Sequence, residues 1–287
     1  MEGRLQVKSV LEEFLGESIH TCDPVRGGDI HAAYRIRTGR NTYFLKTNES
    51  KYVAILKAET DSLNTLRMAF QGVCPEVFLC GSTESSAFLL REWLESSIAG
   101  ERDGLQFGRQ LARMHGVQQS YFGFSEDNYI GILAQSNKPC NSWTEFFIQQ
   151  RIMPQLISLI NAKKAPSSTL LLVDSLAQKM EQLFSDEPPA LLHGDLWSGN
   201  CMHTDLGFAL FDPAIYYGHR EMDIAMTLLF GGFPDLFYTG YAEINPLEAG
   251  WKKRVSLCQL YPILVHANLF GGPYINRSLE ILAEWTC

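Results

Sequence analysis

The sequence contains no apolar run long enough to cross a bilayer, and its first residues lack the apolar stretch of a secretion signal. Basic residues are outnumbered, since 24 lysines and arginines stand against 32 aspartates and glutamates, a net charge of -8. No basic surplus is therefore left to neutralise nucleic-acid phosphates. These absences predict a cytoplasmic protein with neither a membrane nor a nucleic acid as partner.

Cysteines are few and scattered. The sequence has seven, none in a C-x-x-C pair, and the nearest two are Cys74 and Cys80. This pattern predicts neither a zinc knuckle nor a disulfide framework, and an odd number of dispersed thiols fits a reducing compartment.

Several motifs of nucleotide and hydrolytic sites are missing. Neither a Walker A sequence nor G-x-G-x-x-G occurs, so a P-loop or a dinucleotide-binding fold is unsupported. Neither H-E-x-x-H nor G-x-S-x-G occurs, which leaves zinc peptidases and serine hydrolases without their signatures.

Hydrophobic periodicity divides the chain into a β-rich part and a mainly helical part. The 287 residues suffice for two lobes, and 46% of them are hydrophobic. We expect an α+β protein with a small antiparallel N-lobe at residues 1–94 and a larger, mainly helical C-lobe at residues 95–287. The predicted strands are 21–26, 32–38, 42–47, 76–80 and 87–93, and residues 205–211 are predicted to form a turn and a short strand. The predicted helices are 4–17, 52–70, one beginning near 103, 142–160, 168–185, 219–230 and 249–270.

The segment 192–212 carries the most specific pattern in the chain. His193, Asp195 and Asn200 form H-x-D-x-x-x-x-N, and Asp212 follows a short apolar run. Phosphoryl transfer needs one carboxylate beside the acceptor hydroxyl, with an amide and a second carboxylate to hold Mg²⁺ on the nucleotide phosphates. Asp195 is the predicted catalytic base, and Asn200 and Asp212 are the predicted magnesium ligands. We expect His193 to brace the loop rather than exchange protons.

The phosphate-binding parts are predicted in the N-lobe. Gly27 and Gly28 lie between two predicted strands, where a glycine turn lets backbone N–H groups approach phosphate oxygens, although a bare hairpin turn has the same pattern. Lys46 ends a strand and needs an anionic partner if it is buried. Glu59 in the following helix is the preferred partner, with Glu49 or Asp61 as alternatives.

Two further groups complete the predicted site. Glu92, Trp93 and Leu94 end the last β-run where the lobes should join, so their backbone groups can hydrogen-bond an adenine edge. Asp223 either anchors the catalytic loop by accepting backbone hydrogen bonds or serves as a first-turn carboxylate of a helix. His115 lies on an apolar helical face and is expected to be a satisfied core histidine.

At these residues the sequence resembles the fructosamine/ketosamine-3-kinase family of the protein-kinase-like superfamily, which also includes aminoglycoside phosphotransferases. The superfamily shares the H-G-D-x-x-x-x-N pattern and the later aspartate, and the narrower family adds Trp197 within the loop. The resemblance extends over nearly the whole chain, through the segments 127–131, 143–147, 211–214, 217–223 and 270–274.

The resemblance implies an enzyme that uses ATP and Mg²⁺ to phosphorylate the sugar 3-hydroxyl of ketosamines, either small amine adducts or glycated proteins. The unstable 3-phosphate then breaks down and releases the amine, which amounts to deglycation. Lys46 and Glu59 become the phosphate-positioning ion pair, and Trp197 either packs on the sugar ring or braces the loop. Some relatives carry a redox-active cysteine in the glycine turn, whereas here Asp29 follows Gly28 and the nearest thiol is Cys22.

Two alternatives remain beside this interpretation. One is another small-molecule kinase of the superfamily, acting on an aminoglycoside, choline or homoserine, and the other is a binding module without chemistry. The sequence leaves open the preferred sugar, free versus protein-bound substrate, and the choice between monomer and homodimer.

Overall fold

The computed structural model of the protein describes residues 2–25, 31–70 and 72–286, with side chains from residue 6 onward. The helices in chain order are α1 (Glu2–Leu15), α2 (Val53–Ala69), α3 (Asp103–Met114), α4 (Trp143–Phe146), α5 (Met153–Asn161), α6 (Val173–Leu183), α7 (Glu221–Thr227), α8 (Asp235–Ile244), α9 (Trp251–Leu269) and α10 (Pro273–Glu284). The strands are β1 (Thr21–Val25), β2 (Ala32–Arg37), β3 (Thr42–Glu49), β4 (Val77–Ser82), β5 (Ser86–Glu92), β6 (Asn128–Ile130), β7 (Leu133–Gln135), β8 (Ala190–Leu192), β9 (Cys201–Thr204), β10 (Gly207–Leu210) and β11 (Tyr216–Gly218).

The chain folds into two compact units. The first comprises residues 1–103 and 199–213, and the second comprises residues 104–198 and 214–287. An antiparallel sheet dominates the first unit and helices dominate the second, so the expected α+β class is confirmed. The units differ from the predicted domains in two respects. The first unit extends to residue 103 rather than 94, and the segment 199–213 groups with the N-terminal residues although it lies in the second half of the sequence.

The sheet of the first unit has the strand order β1-β2-β3-β5-β4, and all neighbouring strands are antiparallel. Alternation along the strands gives the sheet two different faces. One face presents Ile36, Leu45 and Leu90 to the core cluster that includes Val7 and Leu11 of α1. The opposite face packs Leu89 against Leu56 of α2, and Lys46 lies directly across from Leu89 in the β3–β5 pair. The face packed by α2 is therefore the one that carries the charged site residues.

The hairpin β9–β10 is attached to the first unit by backbone hydrogen bonds. Val73 donates its N–H to the carbonyl of Phe208, and its own carbonyl accepts from Leu210 N–H. At the other strand, the imidazole of His203 lies 3.0 Å from Ser97 Oγ through Nδ1 and 3.0 Å from Asp103 Oδ2 through Nε2. These contacts explain why the segment belongs to the N-terminal unit.

The core of the second unit is built mainly from α5, α6, α9, α10 and the short strands β8 and β11. Its fully buried members include Phe146, Leu176, Leu192, Tyr216 and Leu264. The strands β8 and β11 are antiparallel neighbours, and their three-residue length hides them from any periodicity analysis.

The helix expected at 142–160 is interrupted. A π-helical segment, Phe147–Ile152, separates α4 from α5, which has Pro154 in its first turn. Pro154 has no N–H to donate to the carbonyl of Gln150, and that carbonyl instead accepts a hydrogen bond of 3.1 Å from Arg151 Nη1. The fully buried guanidinium of Arg151 also stacks on Tyr216 at 4.1 Å and donates to Asn137 Oδ1. The wider helical turn therefore places a buried arginine in the core.

Other sequence expectations differ mainly at element ends. The predicted helix 168–185 begins as a 3₁₀ turn, Ser167–Leu172, before α6, and the predicted helix 219–230 shortens to α7. The predicted strand 205–211 is confirmed as β10, but its partner β9 was missed. The sequence analysis also missed α8, α10, β6, β7, β8 and β11.

Burial of His219 makes the stability of the second unit pH-dependent. The imidazole is 2% exposed, and desolvation lowers its pKa to about 4 although Glu187 opposes the shift. Between pH 6.5 and 4 the unfolded chain therefore binds a proton that the folded chain does not. Stability from this group is complete above roughly pH 7.5, and about 2 kcal/mol of it should be lost as the pH falls from there to about 5.

Urea unfolding, followed by tryptophan fluorescence at both pH values, measures this loss. We expect His219→Gln to reduce the pH dependence, whereas replacement of the exposed His20 by glutamine should leave it at the wild-type value. An unchanged pH dependence in His219→Gln would contradict the assignment.

Within the described ranges, no helix is both long and apolar enough to cross a membrane. The same residues form no disulfide.

Candidate active site

A buried cluster of charges lies on the sheet face packed by α2 in the first unit. The ammonium of Lys46 donates to both carboxylate oxygens of Glu59, at 2.8 and 2.9 Å, and to Asp212 Oδ1 at 2.6 Å. Lys46 is 6% exposed and Glu59 is 8% exposed. The structure thus pairs Lys46 with Glu59, while the alternative partner Glu49 pairs with Lys51.

Local folding brings these three side chains together. Lys46 occupies an inward position of β3, Glu59 lies on the buried side of α2, and Asp212 follows β10. Because a buried ammonium is costly when unpaired, two carboxylates around Lys46 stabilise its charged form. Burial alone would lower the pKa of Lys46, but Asp212 and Glu59 outweigh it and raise the value.

The carboxylate of Asp212 is held in its ionised form. Burial opposes ionisation, but Lys46 and Arg91 outweigh it and lower the pKa of Asp212 to about 2. The backbone of Asp212 has φ of 56°, in the left-handed region that costs an L-residue about 1–2 kcal/mol. Strain of this kind persists where the surroundings impose it, and it concentrates at functional sites.

The register of the β9–β10 hairpin brings the two predicted metal ligands together. Cys201 pairs with Leu210, and the next hydrogen bond runs from Phe211 N–H to the carbonyl of Asn200 at 3.1 Å. Asn200 and Asp212 therefore flank the same end of the hairpin, and Asn200 is 7% exposed. An amide and an ionised carboxylate on residues whose backbones lie this close in the hairpin are suitable types of oxygen donor for a hard cation.

Two residues of this site were missed by the sequence analysis. His31 lies close enough to the cluster for its pKa to fall to about 4, because burial and Lys46 outweigh Asp212, and its Nδ1 lies 2.9 Å from Asn48 Nδ2. Arg91 is 6% exposed and lies directly across from Phe44 in the β3–β5 pair. A charged residue directly after the apolar run 87–90, within the predicted strand 87–93, was the available signal for Arg91, and His31 offered none.

The second unit holds the predicted catalytic loop through Asp223. Its Oδ2 accepts from His193 N–H at 2.7 Å and its Oδ1 accepts from Gly194 N–H at 3.0 Å. His115 Nε2 lies 3.2 Å from the same carboxylate, and His115 Nδ1 lies 2.8 Å from the hydroxyl of Tyr241. Asp223 therefore makes the backbone contacts expected of a loop anchor, and His115 is a core histidine with two partners.

The conformation of the loop requires glycine at position 194. Gly194 has φ of 81°, and a Cβ there would lie 2.0 Å from the carbonyl oxygen of Ala214. His193 is fully buried, accepts from Asp195 N–H through Nδ1 at 3.3 Å, and its carbonyl accepts from Ala214 N–H. These contacts place His193 within the loop framework, with its backbone and ring both engaged.

Asp195 and Trp197 are the more accessible residues of the same loop. Both are partly exposed, while Leu196 between them is fully buried. The indole of Trp197 meets the ring of Phe230 edge-on at 5.4 Å, and Phe230 in turn lies 5.1 Å from the ring of His266. Leu196 thus anchors this part of the loop in the core, while the residues on either side of it remain partly exposed.

The remaining predicted contacts have different outcomes. Glu92 uses its N–H within the sheet, donating to the carbonyl of Glu76 at 2.7 Å. The adenine contacts of Glu92, Trp93 and Leu94 stay a prediction. The indole of Trp93 lies under the guanidinium of Arg35 at 4.5 Å. Gly27, Gly28 and Asp29 lie outside the described residues.

Comparison with known proteins supplies the family. The sequence model of the family described as fructosamine kinase matches residues 4–286. A probable ketoamine kinase of Vibrio parahaemolyticus is 41% identical over 256 residues, covering 88% of each chain. The probable ketoamine kinase YniA of Escherichia coli is 35% identical over 282 residues, covering 96% of this chain and 98% of the relative.

Solved structures agree in fold. A Haemophilus somnus protein named "putative fructosamine-3-kinase" superposes with a TM-score of 0.88 at 29% identity, covering 98% of this chain and 97% of that chain. The aminoglycoside phosphotransferase APH(4)-Ia superposes with a TM-score of 0.62 at 17% identity, covering 98% of both chains. These likenesses confirm the protein-kinase-like fold, and the match across nearly all of the sequence shows that the chain belongs to the fructosamine kinase family.

Proposed function

We propose that the protein is an ATP-dependent kinase that phosphorylates the 3-hydroxyl of the sugar in ketosamines, and that the instability of the product leads to deglycation. The observation that carries the phosphoryl-transfer chemistry is the cluster of Lys46, Glu59 and Asp212. The proposed acceptor class rests on family membership together with Trp197 in the catalytic loop.

The residues of the cluster suit a nucleotide with its metal ion. Lys46 is a charged donor for phosphate oxygens, and Glu59 holds that ammonium in place. In the described part of the chain, no three His, Cys, Asp or Glu side chains are grouped to hold a metal by themselves. Two protein ligands, Asn200 and Asp212, are enough for Mg²⁺, because protein sites usually bind this ion through one or two carboxylates together with substrate phosphates. When bound, Mg²⁺ neutralises developing phosphate charge.

The proposed roles in the second unit concern the acceptor. Asp195 orients the 3-hydroxyl and accepts its proton as the hydroxyl oxygen forms a bond to the γ-phosphorus of ATP. The bond from that phosphorus to the bridging oxygen breaks, and ADP leaves with the electron pair. Asp223 and His193 keep the loop in position for this step through the hydrogen bonds at residues 193–195.

A substrate panel tests the proposed function. Fructosyl-lysine, ribulosyl-lysine, choline and an aminoglycoside are each incubated with ATP and Mg²⁺, and ADP release is measured. We expect turnover with a ketosamine and a 3-phosphate product identified by mass and phosphorus NMR. Turnover with only choline or the aminoglycoside would assign the protein to another class of small-molecule kinase.

We propose further that Trp197 packs its face on the sugar ring. The T-shaped contact with Phe230 supports the indole, and Trp197 is partly exposed, so part of its surface can meet a ligand. Because aromatic contacts contribute about 0.5–1.5 kcal/mol, Trp197→Leu should raise the KM for the ketosamine by about three- to tenfold, while the KM for ATP changes less than about twofold.

The matched control is Trp251→Leu, which alters a partly exposed tryptophan at the start of α9. Steady-state kinetics on both variants should show no change for the control. If Trp197→Leu keeps the wild-type KM for the ketosamine, the indole braces the loop instead of binding sugar.

A further inference from the structure

Arg91 is an unusual buried cation in the first unit. It is 6% exposed, and in the described part of the chain it forms no ion pair within 4 Å and its Nε has no hydrogen-bond partner. Burying an arginine without a paired carboxylate is costly, so a specific contact must favour its position. The contact is with aromatic rings.

The guanidinium of Arg91 lies between two phenylalanines that belong to different parts of the unit. It is 4.1 Å from the ring centroid of Phe44 on β3 and 5.5 Å from the ring centroid of Phe211, which follows β10. A planar guanidinium stacks on aromatic faces in a way that an ammonium does not reproduce. Arg91 therefore joins the five-stranded sheet to the end of the β9–β10 hairpin.

The contact between Arg91 and Phe211 matters because of where Phe211 lies in the sequence. Phe211 immediately precedes Asp212, whose backbone lies in the left-handed region at φ of 56°. The backbone N–H of Phe211 is fixed by Asn200, and the side chain of Asp212 is fixed by Lys46. The ring of Phe211 provides a further contact of this segment, because Arg91 reaches it from the sheet.

We infer that Arg91 is a positioning residue, which stacks on Phe211 and thereby holds Asp212 in the backbone conformation that keeps its carboxylate beside Lys46. The charge of Arg91 helps to keep Asp212 ionised, but its proposed effect on the backbone of Asp212 runs through Phe211, and Arg91 is not itself a catalytic residue. The consequence for phosphoryl transfer rests on the proposed function, whereas the consequence for metal-dependent nucleotide binding does not require a ketosamine. Arg91 and Phe44, the two residues of this contact that lie on the sheet, are not part of the catalytic-loop motif at residues 193–200.

Calorimetric titration with ADP, in the presence of Mg²⁺ and in the presence of EDTA, tests the inference without turnover. Arg91→Met should weaken binding of ADP with Mg²⁺ about tenfold and change metal-free ADP binding less than about twofold, because the disturbed group is the proposed metal ligand. Arg91→Lys should keep most of the defect, since it retains the charge but loses the planar stack. The exposed Arg37 on β2 provides the control Arg37→Met, which should bind like the wild type.

A double-mutant cycle tests whether Arg91 acts through Phe211. Phe211→Leu should produce a similar defect, and the double variant should lose about tenfold in total rather than about a hundredfold, because both changes remove one contact. Independent, multiplying effects would overturn the inference, as would an Arg91→Met variant that only melts earlier while binding Mg²⁺ and ADP normally. If Arg91→Met does not fold, the Phe211→Leu variant decides the question. ADP binding with a wild-type dependence on Mg²⁺ in that variant would also overturn the inference. A wild type that binds ADP with Mg²⁺ but phosphorylates no ketosamine overturns the proposed function alone.

Discussion

Replacement of Asp195 by asparagine is expected to lower kcat for ketosamine phosphorylation by roughly 10²–10⁴-fold, the range associated with a lost general base. Asparagine preserves the size of the side chain but cannot accept the hydroxyl proton. Because the Lys46 cluster is unchanged, the KM for ATP and the affinity for ADP should remain within about twofold of the wild type. Single-turnover kinetics measures the rate of the chemical step, and calorimetry measures the affinity for ADP separately.

Asp205→Asn is the matched control for Asp195→Asn. Asp205 lies exposed in the turn of the β9–β10 hairpin, so the same chemical change there should leave kcat unchanged. Circular dichroism of both variants checks that the fold is intact. A wild-type rate in Asp195→Asn would rule out the proposed base.

Replacement of Lys46 by methionine is expected to damage both stability and activity. The change leaves Glu59 buried without its bidentate partner, and removal of one member of a buried ion pair costs about 3–5 kcal/mol. It also removes the proposed phosphate donor, so kcat/KM for ATP should fall roughly 10²–10³-fold, the loss seen when one charge-stabilising donor is removed. Denaturant unfolding and steady-state kinetics provide the two measurements.

A second substitution separates these two effects. In the double variant Lys46→Met with Glu59→Met, an apolar pair replaces the buried ions, and such replacements are often neutral or stabilising. We therefore expect unfolding free energy to recover by at least about 2 kcal/mol while phosphorylation stays lost. Recovery of activity together with stability would show that Lys46 has a structural role only.

The sequence singled out the proposed site residues, but it missed several of the residues that surround them in the structure. Spacing alone placed His193, Asp195 and Asn200 in one loop, because these residues are neighbours in the chain. The pairing of Lys46 with Glu59 needed a choice among three carboxylates, which the helical position of Glu59 favoured and the structure now shows. Arg91 escaped notice because its partners are 47 and 120 residues away in sequence.

The fold was predictable where hydrophobic periodicity persists over many residues. The helix 52–70 and the strands 32–38 and 42–47 agree closely with α2, β2 and β3. Short buried strands carry no such pattern, so β8 and β11 were missed. Pro154 was a readable signal for a break in the helix at 142–160, whereas the π-helical turn depends on where Arg151 finds its partners in the core.

By itself, the sequence determined which chemical groups the protein possesses and which of them are close through covalent connection. A carboxylate, an amide and a second carboxylate at fixed spacing are properties of the chain, and so is the family that shares them. Only the tertiary structure decided that segment 199–213 joins the N-terminal unit, that Asp212 meets Lys46, and that Arg91 reaches Phe211. Those contacts depend on strand register and on the balance of burial against charge, and both are set by residues far apart in the chain.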